Sequence, residues 1–100
     1  MISRQWRGLA RPDKELAYQE HLRTQTFPAI QKIDGFVDAT ILKRRIANGV
    51  EFLIVTRWKT MNAIAKFAGD APDVAVVPTK VREMMLEYDF VVRHYEVVAI

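Results

Sequence analysis

His94 has the side chain best suited by type to move a proton, because a neutral imidazole titrates near neutral pH and Tyr95 and Glu96 follow it directly. Neighbours on a strand point to opposite faces, so only Glu96 would share the face of His94. The alternative role, in a strand that forms an interface, is a hydrogen-bonded structural histidine. His21 is the second candidate: it lies one helical turn from Tyr18 and Gln25, beside an apolar stripe, and points either into a pocket or toward water. Trp6, Trp58, Tyr18 and Phe67 would supply aromatic walls for a substrate, although large aromatics on strands also serve as core or interface. Met61, Met84 and Met85 read as gap-filling core rather than a redox site. Arg44 and Arg45 would either attract an acidic substrate or solvate the end of a hairpin. With His21 and His94 far apart and no cysteine in the chain, there is no ligand set for a metal.

These residues must be positioned by a small molecule of ordinary composition. One hundred residues suit a single domain, here residues 1–100, that buries a modest core. Half of the residues are hydrophobic and 27% are charged, too apolar a balance for a disordered chain. The net charge of +3 neither demands nor excludes an anionic partner. The absence of cysteine removes disulfides, thiolate metal sites and a cysteine nucleophile together, and it fits a reducing compartment. The first ten residues alternate and carry Arg4 and Arg7, and no apolar run approaches the ~20 residues of a membrane span. The expected location is the cytoplasm, away from membranes.

Alternation places the first strand at Ile2–Ala10, with Ile2, Arg4, Trp6 and Gly8 on one face. Pro12 suits a first helical turn, and Asp13 and Glu15 suit the positive end of a helix dipole. Tyr18, Leu22, Gln25, Ala29 and Ile33 then recur at helical spacing. Pro28 predicts a kink, or a break with a short restart. Asp34 and Gly35 end that segment. A second strand runs from about Phe36 to Ala47, and Asn48-Gly49 predicts a type I′ turn into a central strand over Val50–Lys59. Thr60 caps a second helix whose stripe is Met61, Ile64, Ala65, Phe67 and Ala68, stopped by Gly69. After a loop punctuated by Pro72 and Pro78 come a helical turn and a last strand over roughly Leu86–Val98.

Strand, helix, strand, strand, helix, strand is the order of an α+β ferredoxin-like sandwich, a four-stranded antiparallel sheet with both helices on one face. The other face lacks a cover. Apolar residues fall on both parities of the later strands, with Phe52 and Ile54 against Leu53 and Val55, and Tyr88, Phe90 and Val92 against Val91 and Val97. A second copy of the same sheet is the simplest lid, so a homodimer through the helix-free face is expected.

The chain resembles the antibiotic biosynthesis monooxygenase-like family, in which two ferredoxin-like chains form a dimeric α+β barrel. The likeness runs through Tyr18 and His21, Pro28 before Gly35-Phe36, Thr56-Arg57-Trp58, Phe67, Val77-Pro78, and Arg93-His94-Tyr95-Glu96-Val97. It implies a pocket between helices and sheet in each subunit, where aromatic, quinol-like or polyketide-like compounds are oxidised by oxygen, often without metal or flavin. Such a substrate readily gives an electron-rich anion, leaving the protein to bind it, help remove a proton and exclude water. The resemblance also bears on haem. Haem-degrading relatives use an asparagine on the first strand and a tryptophan and a histidine on or just after the second helix. Here Gln5 and Trp6 stand on the first strand and Phe67 in the second helix, so no haem-site residue carries over and no cofactor is expected.

Two further classes remain beside the oxygenase. One is a non-catalytic small-molecule binding or regulatory barrel of the same topology. The other is RNA binding, which Glu51-Phe52-Leu53-Ile54-Val55-Thr56 argues against, because it lacks the Gly- and aromatic-rich signature with its leading basic residue.

Overall fold

The computed structural model describes residues 1–100. Strand β1 spans Ile2–Ala10, followed by a 3-10 turn at Pro12–Lys14, helix α1 at Glu15–His21, a π turn at Leu22–Thr26 and helix α2 at Phe27–Gln31. Strands β2 (Phe36–Ile46) and β3 (Gly49–Trp58) form a hairpin; helices α3 (Met61–Ala68) and α4 (Thr79–Arg82) precede strands β4 (Met85–Tyr88) and β5 (Arg93–Glu96). The sheet order is β2-β3-β1-β4, with β5 on the same edge of β1 as β4, and every pairing is antiparallel. This is the expected α+β ferredoxin-like sandwich.

Period-two alternation decides which side the helices cover. Val50, Phe52, Ile54, Thr56 and Trp58 of β3 are buried, whereas Glu51, Leu53, Val55 and Arg57 are only half-buried. Tyr18 and Leu22 pack with Phe52 and Ile54, while Ile30 of α2 and Ala63 and Ile64 of α3 pack on Trp58. Full burial of such a side chain contributes about 1.5–3 kcal/mol, so one face of one central strand anchors the whole helical layer.

Four expectations need correction. The restart around Pro28 is a π turn: the Phe27 N–H donates to the Leu22 carbonyl, five residues back. One residue is thereby inserted into the helical repeat. The buried stripe after Leu22 consequently moves to Phe27 and Ile30, leaving Gln25 and Ala29 exposed. The β2–β3 hairpin forms, but Ile46 pairs with Gly49, which puts Ala47 and Asn48 in the turn. No non-glycine residue has positive φ, and the positive-φ glycines are Gly35 and Gly69, so the turn is not type I′. Gly49 answers a different need, since a Cβ there would lie 2.5 Å from the Ala10 carbonyl oxygen of β1.

The last strand is split. Between β4 and β5 the chain turns aside to stitch the preceding loop to the sheet: Val92 N–H donates to the Asp73 carbonyl at 2.8 Å and Ala75 N–H to the Phe90 carbonyl at 2.9 Å. That detour brings Asp73 to the edge where His94 sits. Finally, Met61 is exposed while Met84 and Met85 are buried. On the helix-free face, Leu42, Leu53 and Val55 lie side by side, with Tyr95 beyond Ser3 and Gln5 of β1, and ion pairs of Arg7 and Arg44 with Glu51 and of Arg57 with Asp38 stand around them. Tyr88 and Val92 turn toward the helices.

Candidate functional site

A cavity of about 80 Å³, open to solvent at its mouth, lies between the helical layer and the sheet. Eleven of its fifteen lining residues are hydrophobic. The helical side supplies Tyr18, Leu22, Phe27 and Ile30, α3 supplies Phe67, and the loop before α4 supplies Val76, Val77 and Pro78. The floor is Trp6 and Ile54, and the polar groups are Arg4, Thr56, Thr26 and the Tyr18 hydroxyl. The π turn matters here, because its extra residue rotates Phe27 and Ile30 toward the sheet. Gly8 matters too: a Cβ at that position would fall 2.5 Å from the Trp6 ring, so the glycine lets the indole lie over β1. Trp6 is then held by its Nε1–H, which donates to the Asp89 carbonyl at 2.9 Å.

Arg4 is the group that sequence reasoning missed. It is 5% exposed, yet no carboxylate touches its guanidinium. Nη1 donates to the Pro72 carbonyl and, at 2.9 Å, to Nε2 of His94; Nη2 donates to the Val74 carbonyl at 3.4 Å; and the Cζ lies 5.7 Å from the centre of the Phe67 ring. Arginine has only donors, so Nε2 of His94 must accept and its Nδ1 must carry the proton. That Nδ1–H donates to Asp73 Oδ1 at 3.1 Å. The network therefore reads Arg4 to His94 to Asp73, with a neutral imidazole in the middle. Burial, and then the Arg4 charge, hold the His94 pKa below the ordinary histidine value, against the opposing pull of Asp73. Burial also lowers the Arg4 pKa, although a guanidinium stays charged at any ordinary pH. The available sequence signal was a charge on the same strand face as Trp6, Gly8 and Ala10.

Tyr18 is 3% exposed and packs edge-on against Phe52 with ring centres 4.9 Å apart. Burial alone raises its pKa, so the hydroxyl stays protonated and is a hydrogen-bond donor rather than a base.

Of the residues predicted for the site, Tyr18, Trp6 and Phe67 line the cavity. His94, His21 and Trp58 are not among its walls. His94 is occupied on both ring nitrogens, by Arg4 and Asp73 rather than by Glu96. His21 lies on α1 with its Nδ1 buried and without a partner, and burial, then the Lys80 charge, lower its pKa. Trp58 is fully buried, donates from Nε1 to Thr56 Oγ1 at 2.8 Å and stacks on Phe67 with centres 6.1 Å apart. Arg44 and Arg45 are spent on Glu51 and Glu15.

The residues present do not fit haem. The cavity wall holds no histidine, cysteine or methionine, and its one phenol is held protonated. No group of three His, Cys, Asp or Glu side chains converges anywhere in the chain to hold a metal ion.

The fold is shared with solved structures. A candidate antibiotic biosynthesis monooxygenase from Bacillus cereus superposes with a TM-score of 0.65 at 16% identity, covering 98% of this chain and 91% of that one. Another candidate of that name, from Deinococcus radiodurans, gives 0.63 at 15% identity, over 100% of this chain and 95% of that one. MhuD, solved as a mutant with two manganese protoporphyrin IX molecules per active site, gives 0.61 at 15% identity, over 99% and 96% of the two chains. At these identities the likeness defines the class of fold. No family model matches the sequence, and neither does any curated protein.

Proposed function

We propose that the chain is a single-domain, antibiotic biosynthesis monooxygenase-like enzyme that oxidises an aromatic, quinol-like or polyketide-like compound with oxygen in the cavity under its helices. The observation that carries this reading is an apolar, aromatic-walled cavity holding one buried cation and one protonated phenol. An anthrone illustrates the chemistry: it loses a proton to become an anion, gives electrons to oxygen and leaves as the anthraquinone, one oxygen atom entering the product and the other leaving as water. The chain supplies no base in the cavity wall. Its contribution is to stabilise the anion, with the Arg4 charge and the Tyr18 O–H acting where water is excluded. His94 then works on Arg4 rather than on substrate, and His21 stands apart from the reaction.

Two such chains would pair through the helix-free face, where Leu42, Leu53, Val55 and Tyr95 are at least partly exposed among ion pairs. No helix is long and apolar enough to cross a membrane. Oxygen uptake with a panel of hydroquinones and anthrones tests the enzyme reading. Uptake above buffer is expected, lowered by Tyr18→Phe and retained in His21→Ala; no uptake with any member refutes it. Sedimentation at micromolar concentration tests the dimer, and a stable single chain would refute that part.

The missing base favours a second reading, a barrel that binds a small aromatic ligand without consuming it. A metabolite that raises the melting temperature and is recovered unchanged would decide for it.

A further inference from the structure

Arg4 has five N–H donors, and the protein satisfies those on Nη1 and one on Nη2. The Nε–H and the second N–H of Nη2 have no acceptor. In a planar guanidinium the Nε–H and the Nη2 hydrogen beside it point the same way as a parallel pair, the fork that matches the two oxygens of a carboxylate, and the Val74 contact at 3.4 Å is too long to close it. The side chain is almost wholly buried, yet Nε is not among the atoms sealed from solvent without a partner, and the residue lines the cavity. The Nε–H thus keeps an opening, and the cavity that Arg4 lines is where the structure offers one. A buried cation with carbonyls and a neutral imidazole as its only partners leaves the site one negative charge short, since the nearest acid, Asp73, reaches it only through His94.

We propose that the cavity recognises a planar aromatic monocarboxylate, its two oxygens held by the free fork of Arg4 and its ring seated between Trp6, Tyr18 and Phe67. His94 is a positioning residue: its Nε2 takes one Nη1 hydrogen, and Asp73 fixes the tautomer that makes this bond available. The Pro72 and Val74 carbonyls hold the far end of the guanidinium. Together they turn the fork away from the loop. This assignment rests on the reading that the cavity is a ligand site, but not on the oxidation.

The test compares 2-naphthoate with 2-naphthamide, a neutral molecule of nearly the same shape, by calorimetry and thermal shift on the whole chain. Wild-type protein is expected to prefer the carboxylate by at least about tenfold. Arg4→Met is expected to abolish that preference while still binding the amide. His94→Leu is expected to reduce the preference without changing amide affinity, and His94→Gln, which restores an acceptor, to recover part of it; a merely structural histidine would move both affinities together. Equal affinities in the wild type would overturn the carboxylate assignment and leave the cavity standing as a ligand site. If neither compound bound, both readings would fall. The wild-type comparison needs no variant to fold, so the proposal stays refutable if Arg4→Met does not.

Discussion

Replacing His94 by leucine probes the network behind the cavity most directly. The substitution roughly conserves volume but removes the acceptor that sits 2.9 Å from a guanidinium that is 5% exposed. A hydrogen bond to a charged group is worth about 1.5–3 kcal/mol, and its loss leaves a buried donor without an acceptor. With about 2.1 cal/mol/K of unfolding entropy per residue, a chain of 100 residues loses about 7–14 °C of melting temperature for that cost. The assay is urea and thermal unfolding at pH 8, at one fixed protein concentration, because a dimer makes the midpoint concentration-dependent. The acid side gives a second reading. The unfolded chain takes up a proton near pH 6.5, whereas folded His94, buried and beside Arg4, resists it until lower pH. Its contribution is thus complete above about 6.5 and declines as pH falls through that value toward the folded pKa. His21 shifts in the same direction, so the comparison is made in a His21→Gln background. His94→Leu should then flatten the slope between pH 7 and 5. A variant within about 0.5 kcal/mol of the parent at pH 8, or one that keeps the same acid slope, would refute the network.

Tyr18→Phe removes a buried hydroxyl whose pKa reports burial without any hydrogen bond; it should raise stability by up to about 1 kcal/mol while lowering oxygen uptake, and lowered stability would show that the hydroxyl has a structural partner. Glu51 is held at a pKa of about 2 by Arg44 and Arg7, so its contribution is full above about 4.5 and is lost as pH falls toward 2. Glu51→Gln should therefore flatten acid unfolding in that window, and an unchanged acid limb would count against the Arg7–Glu51–Arg44 cluster. Gly49→Ala forces a Cβ to within 2.5 Å of the Ala10 carbonyl oxygen and should cost about 1–3 kcal/mol, whereas Asn48→Ala, with negative φ, should stay within about 0.5 kcal/mol. Equal costs at the two positions in urea unfolding would restore the type I′ turn.

Much of the fold was legible because it depends on local periodicity. The strand at Ile2–Ala10, the cap at Thr60 and the stop at Gly69 are each set by a few neighbouring residues, and the structure places them as expected. The π turn was not legible in full. Pro28 announced a disturbance, but whether the chain kinks, breaks or widens depends on which option lets Leu22, Phe27 and Ile30 all reach the sheet. The turn at Ala47-Asn48 misled for a related reason: Gly49 looked like a turn residue, whereas the backbone of β1 is what excludes a side chain there.

The site divides in the same way. Tyr18, Trp6 and Phe67 were legible as aromatic walls because large apolar side chains at core spacing point inward whatever they enclose. Chemical type alone singles out His94 and His21, and type says nothing about what stands opposite. The sequence by itself determined the order of elements and the α+β sandwich, since these follow from interactions within a turn or a strand. Only the tertiary structure decided the chemistry. It paired Arg4 with His94 across ninety residues, brought Asp73 up behind them and left the buried Arg4 Nε–H without an acceptor, because hydrogen-bond partners distant in the chain are fixed by packing.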